Sequence, residues 1–272
     1  MSKKFEFVEV GDDKPQVETP SKDMKKNFYA LVLDASGSMF GVRQVTKKGV
    51  NEQIETIKKL ATDFKDQEYY VTLITFSSPD KINVVYFNKP VGKVSALTDE
   101  DYITEGGTAL YDAVGEAIEK LSKEVDDHKD EDIQVVLQIF TDGEENSSTK
   151  YSGAKITSLI EDLQGSKKWI ATYIGANHDV AAAAKNLGIA AGNTVQYSGS
   201  AASVDNTMKY MSMRSMNYAA NRSKGIVGAS YMADVDAMTH IDDDTIQTDE
   251  IKEDILNKSL NSSNKSKKGK KI

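Results

Sequence analysis

The feature that most constrains the fold is an unbroken apolar run, Phe28-Tyr29-Ala30-Leu31-Val32-Leu33, that stops at Asp34-Ala35-Ser36-Gly37-Ser38. Six apolar residues without alternation read as a strand covered on both faces, as in a parallel sheet between helices. A second run, Val135-Val136-Leu137-Gln138-Ile139-Phe140, ends in Thr141-Asp142-Gly143. In the first run, three short oxygen-bearing side chains follow at alternate positions where the chain leaves the sheet. A carboxylate and two compact hydroxyls on one turning loop suit a hard cation that takes oxygen ligands, and Gly37 permits the tight turn between the serines. The competing reading is an Asx or Ser turn that caps the next helix.

Strand and helix signals alternate through the rest of the chain. Val50, Ile54, Ile57, Leu60, Ala61 and Phe64 recur at three- and four-residue spacing and predict a helix over 44–64. Strands are predicted over 69–76 and 82–87, and the short turn between them pairs them antiparallel. An acidic connector over 97–107 reads as solvated. A Gly-rich turn, Glu105-Gly106-Gly107-Thr108, then opens an amphipathic helix over 108–125. Asp112 in its first turn offsets the helix dipole, and His128, with no partner at ligand spacing, is a solvated side chain. Glu144 and Glu145 read as exposed. A helix over 154–163, a strand over 168–174, a helix over 179–187 closed by Gly188, and a sixth strand over 194–197 complete the pattern. This alternation predicts an α/β fold: a doubly wound, mostly parallel six-stranded sheet with one antiparallel edge strand and helices on both faces.

The motifs resemble those of the von Willebrand factor A (VWA) family, whose metal-ion-dependent adhesion site is D-x-S-x-S, a distant Thr and a distant Asp. Asp34, Ser36, Ser38, Thr108 and Asp142 fill all five positions, in order and in the right strand context. GGTALYDA and the TDG ending are similar to those of stand-alone bacterial and phage members. The resemblance covers about residues 27–197. It implies a bound Mg²⁺, with Mn²⁺ or Ca²⁺ as alternatives. The two serines and the threonine would coordinate it, the two aspartates would act mainly through water, and one position would stay open. A partner's Asp or Glu would fill that position.

Domain organisation follows. Residues 1–26 form an N-terminal arm in which Phe5-Glu6-Phe7-Val8-Glu9-Val10 is an edge-strand candidate. The VWA domain spans 27–222 and includes a Met-rich helix over 204–221, with Asp205, Lys209, Arg214 and Arg222 on its wet side. Residues 223–260 are an extension, with Asp242-Asp243-Asp244 as a cation candidate and a short helix over 250–260. Residues 261–272 are a basic disordered tail.

Charge and composition narrow the function. The net charge is −8, and six lysines between 258 and 272 leave the rest at −14, which disfavours specific nucleic-acid binding. There is no cysteine, hence no disulfide framework or thiol chemistry. No apolar run approaches the roughly 18 residues that span a membrane, and the N-terminus lacks a signal-peptide core. A cytoplasmic or phage-virion location is expected. Walker, HExxH and GxSxG motifs are absent, so the chain is expected not to be an enzyme. The expected function is Mg²⁺-dependent capture of an acidic residue on a protein partner. The alternatives are a structural part of a large assembly, such as a phage particle or stress-response complex, and a metal-dependent hydrolase or phosphoryl-transfer enzyme.

Overall fold

A computed structural model of the chain describes residues 24–128, 132–226, 231 and 238–243. The expectations for 5–10, for 250–272 and for Asp244 lie outside the described residues. Strands β1 (Lys25–Asp34), β2 (Gln67–Phe76), β3 (Ile82–Pro90), β4 (Ile133–Thr141), β5 (Trp169–Gly175), β6 (Thr194–Tyr197) and β7 (Thr239–Ile241) form one sheet in the order β3-β2-β1-β4-β5-β6-β7. Helices are α1 (Arg43–Asp63), α2 (Leu110–Asp127), α3 (Gly153–Gly165), α4 (Val180–Asn186) and α5 (Ala201–Ser223). Only β3 runs antiparallel, paired with β2. Among the described residues the sheet has seven strands where six were expected. The seventh, β7, is three residues long and pairs parallel with β6 over Val195–Tyr197, too short for hydrophobic periodicity to reveal.

The apolar run of β1 is continuous because its alternate residues feed two cores. Tyr29, Leu31 and Leu33 pack with Ile54, Ile57 and Leu60 of α1 and Met208 and Met211 of α5. Phe28, Ala30 and Val32 pack on the opposite face with Val114, Ala117 and Leu121 of α2 and Ile156 and Ile160 of α3. Successive side chains of a strand point to opposite faces, so a central strand between two helical layers must be apolar at every position. The methionines of α5 fill core, as expected. Gly49 lets α1 approach that helix: a Cβ there would lie 2.3 Å from Met208 Cγ.

Arg222 departs from the sequence reading. It was placed on the wet face of α5 but is 1% exposed. Its Nε donates to Asn27 Oδ1 at 2.6 Å, and Nη2 donates to the carbonyls of Lys26 at 3.3 Å and Asp132 at 2.8 Å. Gln67 adds a bond to the carbonyl of Ala219 at 2.8 Å. These contacts fasten the end of α5 to the amino end of the sheet.

Candidate metal site

The carboxyl ends of β1 and β4 lie side by side, with Leu33 opposite Phe140 in register. Asp34 and Asp142, remote in sequence, therefore leave the sheet together. The carboxyl ends of central strands in open α/β sheets are where such folds place ligands. Asp34 is fully buried. Its Oδ1 accepts from the Ser36 amide at 2.7 Å and its Oδ2 from the Thr141 hydroxyl at 2.5 Å. Burial pushes its carboxyl up to about 6, against the lowering effect of the Thr141 and Ser36 hydrogen bonds.

The two serines and the second aspartate form a chain of contacts. Ser36 Oγ and Ser38 Oγ are 3.0 Å apart, and Ser38 Oγ donates to Asp142 Oδ1 at 2.6 Å. Thr108 joins from the third loop. A Cβ built on Gly143 would stand 3.8 Å from Thr108 Oγ1 and 3.9 Å from Ser38 Oγ, so both hydroxyls border one small space that glycine leaves open. Asp34, Ser36, Thr108 and Asp142 are buried, whereas Ser38 is exposed, so the cluster faces solvent on the Ser38 side. All five sequence-predicted residues thus come together, three hydroxyls and two carboxylates. Among the described residues there is no group of three or more His, Cys, Asp or Glu side chains arranged to hold a metal. Any ion here would depend on neutral hydroxyl oxygens, which suit a hard cation.

The three loops are stitched to one another. The Gly37 amide donates to the Gly106 carbonyl at 3.2 Å, and the Glu105 amide to the Ala35 carbonyl at 2.9 Å. The Thr108 amide donates to Asn146 Oδ1 at 2.9 Å. Tyr102, fully buried, donates to the carbonyl of Asp34 at 2.7 Å, and Tyr197 to the carbonyl of Thr141 at 3.1 Å. Desolvation raises both phenols, so they remain neutral donors.

Several of these supports escape a reading of the sequence. Thr141 looked like the last residue of a strand, yet its hydroxyl orients Asp34. Glu145 was read as exposed. It is half-buried and accepts from the amides of Tyr111, Ser147 and Ser148 at 2.9, 2.8 and 2.6 Å, which caps the start of α2. Asp112 does sit in the first turn of α2, but its carboxylate also takes the amides of Thr149, Lys150 and Tyr151 at 2.8–2.9 Å. Glu144 is exposed, as expected. The connector over 97–107 is only partly solvated, since Leu97 and Tyr102 are buried.

The model of the von Willebrand factor type A domain matches residues 30–214, which include all five positions. The chain belongs to the VWA family. Comparison with curated proteins gave no match. Among solved structures, this VWA chain is similar to proximal thread matrix protein 1 (PTMP1) from the mussel byssus: 17% identity, TM-score 0.45, covering 68% of this chain and 45% of that one. It is similar also to PTMP1 with a zinc-occupied MIDAS motif, at 16% identity and TM-score 0.43, covering 69% and 45%. A third is the manganese-loaded TRAP protein of Plasmodium vivax, at 15% identity and TM-score 0.39, covering 65% and 70%. The chain spans under half the length of the mussel proteins it matches. VWA domains are generally interaction modules. No helix among the described residues is long and apolar enough to cross a membrane.

Proposed function

We propose that this VWA domain binds a divalent cation, Mg²⁺ foremost, at Asp34, Ser36, Ser38, Thr108 and Asp142, and through it a carboxylate of a protein partner. The observation that carries the reading is the convergence of three hydroxyls and two carboxylates from three loops on one solvent-facing space beside Gly143. The chemistry of that donor set fits a hard ion. With so few formal charges around it, the ion would stay electrophilic towards an incoming carboxylate. The residues hold and orient, and in this reading the domain acts as a non-enzymatic binding module.

The test is calorimetric titration of Mg²⁺ and Mn²⁺ into wild type, Ser38→Ala and Asp142→Ala, beside partner capture with and without chelator. One ion per chain, lost in Asp142→Ala, and capture abolished by chelator are expected. Metal binding indifferent to Asp142, or capture undiminished in chelator, would refute the proposal.

A further inference from the structure

Thr108 is the one candidate ligand that neither central strand delivers. Asp34, Ser36 and Ser38 follow β1 and Asp142 follows β4, and those two strands are paired in register. Thr108 comes on the connector between β3 and α2, so its distance from the other four depends on what holds that connector. Towards the β1 loop the hold is backbone to backbone, Gly37 to Gly106 and Glu105 to Ala35. The Ala109 amide adds a bond to the Ser77 carbonyl at 2.6 Å. Towards the β4 loop, Thr108 itself is gripped by one residue. Asn146 Oδ1 accepts from the Thr108 amide at 2.9 Å, and the Asn146 amide donates to the Thr108 carbonyl at 3.1 Å. Both backbone polar groups of Thr108 thus end on Asn146, which shares its loop with Asp142. A Cβ on Gly107 would stand 2.9 Å from Asn146 Oδ1, so glycine is what lets the two loops close to this distance. Asn146 is exposed, whereas Thr108 is buried, so the asparagine can be changed without opening the core.

The spacing of the hydroxyls decides which ion fits them. Mg²⁺ takes its oxygens in a near-ideal octahedron at about 2.1 Å, whose edge is about 3.0 Å. Ca²⁺ takes about six to eight at roughly 2.4 Å in flexible geometry, and its octahedral edge is about 3.4 Å. Ser36 Oγ and Ser38 Oγ touch at 3.0 Å, a separation that is also an edge of the smaller octahedron. A third hydroxyl that completes the same figure must be held as closely. A ligand free to drift costs the ion with strict geometry more than the ion that adapts.

Resting on the metal-site reading above, we infer that Asn146 is the positioning residue that sets the site's preference for Mg²⁺ over Ca²⁺. It acts through Thr108 and touches no ion. By locking the threonine against the loop of Asp142, it keeps that hydroxyl at the spacing a small octahedron requires. Removing such a partner of a ligand costs about 10–100-fold in metal affinity, and here the loss falls on the smaller ion first.

Calorimetric titration of Mg²⁺ and of Ca²⁺ into wild type, Asn146→Ala and Asn146→Asp tests this, with amide hydrogen exchange of the metal-free proteins beside it. Wild type should bind Mg²⁺ more tightly than Ca²⁺. Asn146→Ala should lose about tenfold in Mg²⁺ affinity and at most about threefold in Ca²⁺ affinity. Asn146→Asp keeps an acceptor for the Thr108 amide and should hold the ratio of the two affinities within about twofold of wild type. In chelator, the Thr108 amide should exchange about tenfold faster in Asn146→Ala than in wild type; unchanged protection refutes the bracket with no ion involved. An equal loss for both ions, or none, makes Asn146 a structural support only and overturns the inference. So does an Asp variant whose ratio follows that of Ala, or a wild type that prefers Ca²⁺. A wild type that binds neither ion sinks the metal-site reading itself, and the inference with it.

Discussion

Replacing Arg222 with Met tests how the last helix is held. The side chain of Arg222 is wholly buried, and its Nε and Nη2 make three hydrogen bonds of 2.6–3.3 Å to Asn27 and to the carbonyls of Lys26 and Asp132. Met conserves much of the volume, so the cavity term is small. The loss is electrostatic: one buried and two partly buried acceptors keep their desolvation cost and lose a cationic donor. Breaking a buried charged network by removing one partner costs about 3–5 kcal/mol. Arg222 Nη1 also lies 3.1 Å from Asp132 Oδ1, but that side chain is about half exposed and can rehydrate, which favours the lower end of that range. Urea unfolding followed by tryptophan fluorescence reads the change directly. In a domain of this size it corresponds to a melting point about 6–20 °C lower. A variant within about 1 kcal/mol of wild type would show that these contacts are incidental.

Three further outcomes are expected. Gly49→Ala should destabilise by about 1–3 kcal/mol, despite the roughly 1 kcal/mol that alanine adds to a helix, because the new methyl would sit 2.3 Å from Met208 Cγ and 2.5 Å from its Cβ; stability equal to wild type in the same urea assay would refute the close approach. In chelator, the Asp34 carboxyl, near 6 when folded against its ordinary 3.8, binds its proton more tightly in the folded state. Its contribution therefore falls by about 2 kcal/mol as pH rises from 4 to 7. The stability of wild type relative to Asp34→Asn should decline across that window, and a flat difference would refute the shift. Glu145→Ala leaves the amides of Tyr111, Ser147 and Ser148 without their acceptor and should cost about 1–2 kcal/mol. It should also weaken Mg²⁺ binding in calorimetry, since the loops bearing Thr108 and Asp142 are then less firmly joined; unchanged affinity would make the contact purely structural.

What the sequence made legible follows from periodicity. The β1 and β4 runs announce themselves because a strand between two helical layers is apolar at every position, and the site residues because they sit at the ends of those runs. The supports were invisible for an equally physical reason. Thr141, Glu145 and Asp112 act through contacts across loops that local pattern does not encode. Arg222 is a charged residue on a helix, and charge on a helix usually means solvent; only its place opposite the amino end of β1 buries it. β7 was missed because three residues carry no period.

The attachment of α5 is uneven along its length, and this bears on how the helix can move. Its last turns are held by Arg222, by Gln67 to the Ala219 carbonyl, and by Tyr218 to Gln134 at 3.0 Å. Its first half rests on Met208 and Met211 against α1, unbranched side chains that repack easily, and on exposed contacts of Asp205 with Lys48 at 3.1 Å and of Asn206 with the carbonyls of Asp242 and Asp243 at 3.1 and 3.3 Å. Sliding along the axis would break every one of the polar contacts at once. Swinging about the Arg222 end leaves those of the last turns whole and asks the methionines to repack and the exposed contacts of Asp205 with Lys48 and of Asn206 with the carbonyls of Asp242 and Asp243 to give way, so this helix is a lever with its fulcrum at the far pole from Asp34.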